Sequence, residues 1–173
     1  MDYLRQFIIP FKGLKEGLHQ FDFEIDEKFF DYFEYAEIKN GKVNVHLEME
    51  KEERLLVLNF SLDGIMNVPC DRCNEPMDLP IHGKEKLIVK FGAGYEEESE
   101  DVQIIPEEDN QVDVSPFIYE YIQLLLPVRR VHGEDPNGVP LCDPEIIRKL
   151  ESKPVSEETD PRWDALKKLK TKN

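Results

Sequence analysis

No apolar run in this chain of 173 residues approaches the ~20 residues that a membrane-spanning helix needs. The opening string Met1-Asp2-Tyr3-Leu4-Arg5-Gln6-Phe7 has no apolar h-region of a secretory signal, so a cytoplasmic location is expected. Cysteine is scarce, with three in all. That is too few for a disulfide framework, and in a reducing compartment it favours metal or redox use of a pair. Catalytic signatures are absent: there is no G-x-S-x-G, no Walker A loop and no H-E-x-x-H. Gly92-Ala93-Gly94 is too short to cradle a phosphate, and the acids that follow would repel one. No catalytic constellation and no small-molecule substrate are therefore expected. Between residues 91 and 127 there is no Lys or Arg, against ten Asp and Glu.

That block accounts for most of a net charge of −15. Such a surface repels nucleic acid at long range and favours basic partners. It also fits a solvated acidic loop that aids solubility. Glu96, Glu97, Glu98, Glu100 and Asp101 lack the spacing of an EF-hand, so a bound hard cation is not expected.

Forty per cent apolar residues suffice for a core. The patterning predicts an α+β fold, mainly an antiparallel sheet, open or closed into a barrel. One domain over residues 1–150 is expected, containing an acidic loop near 92–112, then a linker and basic segment over 151–173. Residues 5–11 read as a short strand and 18–25 as another, with Phe21, Phe23 and Ile25 alternating with charge. Asp26 is placed to cap a short helix carrying Phe29, Phe30 and Phe33. Val43, Val45, Leu47 and Met49 give the clearest period-two strand. A returning strand over 54–60, a kink at Asp63-Gly64, a short strand over 65–68 and a long strand over 77–91 follow. Residues 92–112 are Gly-, Glu- and Asp-rich, with a short apolar island at 102–105, and ordered structure is not expected there. The main packed helix is predicted near 115–126, capped by Asp113 or Ser115, with Pro116 in its first turn and Pro127 ending it. A Gly/Pro loop over 133–140 precedes a short helix over 143–150 capped by Asp143 with Pro144 at N1.

Cys70-Asp71-Arg72-Cys73 lies between two apparent strands, where a tight turn would hold two thiolates on one side. Zinc takes four S or N donors in a tetrahedron. Cys142 offers the third sulfur, and His132, then His82, are the candidates for the fourth ligand. His132 is preferred because residues 132–142 could fold back over the knuckle as one unit. A structural Zn²⁺ on Cys70, Cys73, His132 and Cys142 is the expectation. Two other readings stay open: a thiol redox pair, and cysteines that merely fill a hairpin. The redox pair lacks the helix N-terminus that lowers a thioredoxin-like thiol pKa, and Asp71 and Glu75 partly offset Arg72. His46 falls on the polar face of its strand, and His19 and His82 have no identifiable partner.

The last segment differs from the rest. Arg162, Lys167, Lys168, Lys170 and Lys172 stand against one acid, Asp164, with Trp163 among them. Such residues can touch RNA phosphates and stack a base. Equally, Trp163, Leu166 and Leu169 could dock on the core and leave the lysines to solvent.

The ordered set of motifs resembles the YceD family of bacteria and plastids. Cys70-Asp71-Arg72-Cys73 with Pro76, an acidic stretch, Asp113, Glu120, Leu124-Leu125-Leu126-Pro127, His132 and Cys142, and Asp160-Pro161-Arg162-Trp163 with Leu166 and Leu169 carry the resemblance. It is best over residues 43–173. Two departures stand out: Asn74 replaces the apolar residue that usually follows the second cysteine, and the step from His132 to Cys142 is longer than the family's. The resemblance implies a role in accumulation of 23S ribosomal RNA and no known enzyme activity. It implies work beside a ribosomal protein or RNA-processing factor, with ribosomal RNA itself a further partner. The competing readings are an acidic protein-interaction module for a basic partner, and the thiol redox protein.

Overall fold

The fold is known from a computed structural model, which describes residues 3–34, 36 and 38–152. A 3₁₀ turn (Tyr3–Phe7) leads into β1 (Ile8–Ile9) and a second 3₁₀ turn (Phe11–Gly13). Then come β2 (Gly17–Ile25), α1 (Glu27–Phe30), β3 (Asn40–Lys51), β4 (Leu55–Pro69), β5 (Pro76–Gly92), β6 (Glu96–Ser99), β7 (Val102–Pro106) and β8 (Val112–Asp113). Two helices, α2 (Ser115–Leu124) and α3 (Pro144–Glu151), follow. One six-stranded sheet has the order β2-β3-β4-β5-β7-β6, and β1 pairs with β8. All neighbours are antiparallel except β5 and β7. The architecture is α+β. The sheet keeps two free edges, β2 and β6, so it is open and not a barrel.

Period-two patterning fixes which face is buried. Val43, Val45, Leu47 and Met49 are buried, and the buried row of β4 runs Leu56, Leu58, Phe60, Leu62, Met66 and Val68. Against this face lie Phe7, Phe29 and Phe30, all with no exposure. Asp26 caps α1, its carboxylate accepting the Lys28 N–H at 3.1 Å. The α2 helix crosses the same face with Ile118 and Ile122 fully buried and the Tyr121 ring edge-on to Phe60 at 5.2 Å. Gly83 makes that approach possible, because a Cβ there would collide with the Leu125 side chain. The helix cap is displaced from the expected position. Val114 is the N-cap residue, and Asp113 accepts both the Ser115 N–H (2.9 Å) and the Ser115 hydroxyl (2.7 Å).

Three local expectations change. The strand expected over 5–11 is cut to Ile8–Ile9, because Pro10 has no N–H with which to continue the ladder. The kink expected at Asp63-Gly64 is absent, and β4 pairs with β5 without interruption from Leu55↔Lys90 to Pro69↔Pro76. Gly64 serves a close approach instead, since a Cβ there would meet the backbone of Lys42 and Val43 on β3. Finally, the acidic stretch 92–112 contains β6 and β7. The apolar island finds a partner in β5 through Ile88↔Val102 to Gly92↔Pro106, and Ile105 is buried. The Lys90 ammonium pairs with Glu98 at 2.6 Å beside it. Composition carries no information on backbone pairing, so this sheet extension was invisible in the sequence.

The prolines of β5 are consistent with its position. The Ile88 N–H donates to the Asp101 carbonyl at 2.8 Å, away from β4. Even-numbered residues of β5 therefore direct their N–H groups away from β4, and Pro76 and Pro80 cost that ladder no bond. The 17 residues of β5 place its two ends roughly 50 Å apart at about 3.3 Å per residue. The Cys-x-x-Cys turn sits at one end and the acidic strands at the other.

Gly64→Ala is expected to lower unfolding free energy by about 1–3 kcal/mol, because strand backbone cannot yield as a side chain can. Gly94→Ala, where a Cβ meets open space, should lie within about 0.5 kcal/mol of the wild type. Urea midpoints at unchanged slope measure both.

Candidate metal centre

The β4–β5 ladder ends on the pair Pro69↔Pro76, and the six intervening residues form a knuckle. The Cys70 N–H donates to the Glu75 carbonyl (2.9 Å), and the Asn74 N–H donates to the Cys70 carbonyl (2.8 Å). Asn74 has φ 62°, the left-handed region that Asn tolerates and a β-branched or bulky apolar residue does not. The turn geometry thus accounts for asparagine after the second cysteine.

The long step from His132 to Cys142 is closed by a small hairpin. The Leu141 N–H donates to the Gly133 carbonyl (2.9 Å) and the Asp135 N–H to the Val139 carbonyl (2.8 Å). Asp135 ties the tip, its carboxylate accepting the N–H groups of Val139 (2.8 Å) and Asn137 (2.9 Å). These bonds, the Val139 one foremost, hold its carboxyl below the usual range. Gly138 has φ 79° at the turn. The ten-residue step therefore leaves His132 and Cys142 side by side at the feet of the hairpin.

Asp71 fastens one unit to the other. Its N–H donates to the Arg130 carbonyl at 2.7 Å, and its carboxylate accepts the Arg130 N–H at 2.6 Å and the guanidinium at 3.4 Å. From the other side α3 closes the centre. Asp143 caps it by accepting the Glu145 N–H at 2.8 Å, as expected. Ile146 and Ile147 of α3, with Val131 and Met77, pack on the three cysteines.

Four donor atoms result, all within 4.8 Å of one another: the sulfurs of Cys70, Cys73 and Cys142 and a ring nitrogen of His132. The three cysteines are free thiols, each no more than 4% exposed. Cys70 Sγ lies 3.8 Å from Cys142 Sγ, and Cys73 Sγ lies 3.4 Å from His132 Nδ1. Zinc bonds of ~2.3 Å to sulfur and ~2.0 Å to nitrogen give tetrahedral edges of about 3.8 Å and about 3.5 Å. The donor set suits that ion, and these two edges match its spacing within a cluster that spans up to 4.8 Å.

The electrostatics point the same way. Burial would raise the Cys70 thiol pKa. Backbone N–H groups of Cys73, Arg72 and His132, with the Cys73 side chain, outweigh burial and bring it down to about 6. Burial pushes Cys142 up to about 11, helped by the neighbouring sulfurs of Cys70 and Cys73. One thiolate is welcome here, and a second is opposed unless a cation lies between them.

Of the two histidines weighed for the fourth position, only His132 is here. His82 is exposed on the solvent face of β5 opposite Asp63, beside a concavity of about 990 Å³ that no cysteine lines. His46 is half-buried, 2.7 Å from Asp22, and the His19 Nε2–H donates to the Lys15 carbonyl, 2.8 Å away. Arg162, Trp163, Lys167, Lys168 and Lys170 lie outside the described residues. Asp71 and Asp135 escaped the sequence reading as positioning residues. Asp135-Pro136-Asn137-Gly138 is a recognisable turn signal, whereas nothing in the sequence marks the Asp71–Arg130 tie.

The described residues form an open α+β sheet protein in which a Cys-x-x-Cys knuckle meets a His/Cys hairpin. The family is specific: residues 58–170 match the model described as "Large ribosomal RNA subunit accumulation protein YceD", and the chain belongs to the YceD family. That membership supports a role connected with ribosome biogenesis. The chain is also 25% identical over 128 residues, 73% of each protein, to the "Uncharacterized protein YlbN" of Bacillus subtilis (strain 168). No solved structure matches it. No helix among the described residues is long and apolar enough to cross a membrane.

Asp71→Ala should cost about 1.5–3 kcal/mol of stability, the range for hydrogen bonds to a charged group. It should also remove hydrogen-exchange protection at the Arg130 amide while leaving the Leu58 amide protected. Equal protection at Arg130 in both proteins would contradict the tie.

Proposed function

We propose that this chain is a non-catalytic cytoplasmic factor that supports accumulation of 23S ribosomal RNA, with a structural Zn²⁺ held by Cys70, Cys73, His132 and Cys142. Membership of a family described by large ribosomal RNA subunit accumulation carries the functional half. The convergence of four donors from two hairpins far apart in sequence carries the metal half. The ion's work here is mechanical. It joins the tip of the β4–β5 hairpin to the 132–142 hairpin and α3, where a second thiolate beside Cys70 is unfavourable without a cation. The direct partner is a basic ribosomal protein or RNA-processing factor, since the charge of −15 disfavours a large naked-RNA footprint. The tail residues Arg162, Trp163, Lys167, Lys168 and Lys170 add a local RNA contact.

A thiol redox role draws support from the lowered Cys70 thiol, but the burial of all three cysteines, each no more than 4% exposed, weighs against it. A purely acidic interaction module is distinguished by affinity capture that recovers no ribosomal component.

Depletion of the protein should lower the ratio of 23S to 16S ribosomal RNA, and an unchanged ratio would remove the functional half. Protein purified without a His-tag should carry close to one equivalent of zinc, and Cys142→Ser should lose most of it. Less than about a tenth of an equivalent in the wild type would remove the metal half. Binding of zinc at pH 7 should release protons, because Cys142, with its raised pKa, enters as a thiol and must ligate as a thiolate. Affinity should therefore fall as pH is lowered, and calorimetry in buffers of different ionisation enthalpy measures the release.

A further inference from the structure

Beside the end of β5 that lies away from the cysteine knuckle, a cavity of about 440 Å³ opens between three backbone segments. The second 3₁₀ turn supplies Phe11 and Lys12, and the connection from β7 to β8 supplies Glu107 and Asp109. The end of β3 and the turn after it supply Lys51, Glu53 and Arg54. Phe91 of β5 completes the lining, with the buried Phe11 ring stacked on it at 5.3 Å. Backbone hydrogen bonds pin these segments together. The Phe91 N–H donates to the Arg54 carbonyl (3.2 Å), the Glu107 N–H to the Gly92 carbonyl (3.1 Å) and the Lys12 N–H to the Asn110 carbonyl (3.2 Å). The walls are therefore held in place by the fold itself.

The charges of this cavity set it apart from the rest of the chain. Three cations and three carboxylates line it, so it is neutral within a protein of net charge −15. Among the described residues, none of the three cations enters an ion pair, although carboxylates share the cavity with them. Lys51 donates instead to the carbonyls of Phe11 (2.9 Å) and Leu14 (2.6 Å), and Lys12 to that of Glu108 (3.3 Å). An ammonium has three N–H donors, so each lysine is fixed in place and still has one to give. Arg54 is exposed at the mouth. A bare anion would meet the carboxylates, and a bare cation would meet the lysines and Arg54. The complementary ligand joins an anionic group to several hydroxyl or amine donors and a flat ring.

We infer that this cavity binds one nucleoside 5′-monophosphate unit, as a free nucleotide or as a residue of single-stranded RNA. Lys12, Lys51 and Arg54 donate to the phosphate, and the base lies against Phe91. Glu53 and Glu107 accept from the ribose hydroxyls or a base amine. The cavity falls within the ~300–1,000 Å³ usual for small-molecule sites. The inference goes beyond the ribosomal reading and is independent of zinc.

Titration of the full-length protein with adenosine 5′-monophosphate, followed by NMR, tests it. Saturable shifts are expected at the Phe91 ring and the Arg54 and Glu107 amides. Binding should be at least fivefold tighter than that of adenosine or of ribose phosphate. Arg54→Gln should weaken binding of the nucleotide at least fivefold and of adenosine less than twofold, because it removes a phosphate contact alone. Phe91→Leu should weaken both at least threefold. Lys86→Gln, which removes the same charge from the solvent face of β5, should change neither more than twofold. Tetra-adenylate RNA is the second arm: tighter binding than the monophosphate at the same residues assigns the site to RNA, and equal or weaker binding assigns it to a free nucleotide. No shift at Phe91 with either ligand, ribose phosphate as tight as the nucleotide, or equal losses from Arg54→Gln and Lys86→Gln would overturn the site. Melting curves verify folding, and the exposed Arg54→Gln decides if Phe91→Leu is unstable. A negative titration with a lowered 23S to 16S ratio on depletion would sink this site alone.

Discussion

The in-register pairing of β4 with β5 is the constraint on which the rest of the molecule depends. Every residue of β4 has a partner, from Leu55↔Lys90 to Pro69↔Pro76. That continuity sets the parity of both strands, so one row makes the core and the other faces water. It also carries the ladder to Pro69↔Pro76, where a six-residue turn must follow. Cys70 and Cys73 are delivered to a fixed place because a long, unbroken ladder ends immediately before them. A one-residue slip would turn the buried row of β4 outward and rotate the knuckle with it.

The same hairpin separates two kinds of surface. Its turn carries the buried thiols, with the 132–142 hairpin and α3 folded against them. Its open end carries the parallel partner β7 and the acidic edge strand β6. Lys90 and Glu98 pair across that end, but the net excess of acid stays unneutralised. The strand pair thus holds the cysteine knuckle and the acidic strands at opposite ends.

Much of this was legible in the sequence, for reasons that particular residues make plain. Val43, Val45, Leu47 and Met49 alternate because one face of β3 is buried, so the strand and its face could both be read. Asp143-Pro144 announced the start of α3. The three cysteines were so few that their association was easy to suspect. What escaped was whatever depended on backbone pairing or on close approach. Gly64 looked like a kink, yet it marks contact with β3. Residues 96–106 looked too polar to order, yet β7 needs only the free edge of β5. The step from His132 to Cys142 is longer than the family's, yet the Asp135 turn folds it into a hairpin whose feet meet.

The centre and the fold support each other. Without a cation, Cys142 resists ionisation beside the Cys70 thiolate, and the contact between the two hairpins rests on Asp71, Arg130 and the apolar cover from α3. With zinc, the buried sulfurs become the strongest tie in that region. X-ray absorption at the zinc edge, on untagged protein, reads this most directly. The expected first shell is three sulfurs at about 2.3 Å and one imidazole nitrogen at about 2.0 Å. A shell of nitrogen and oxygen alone, or no zinc in the folded protein, would contradict it.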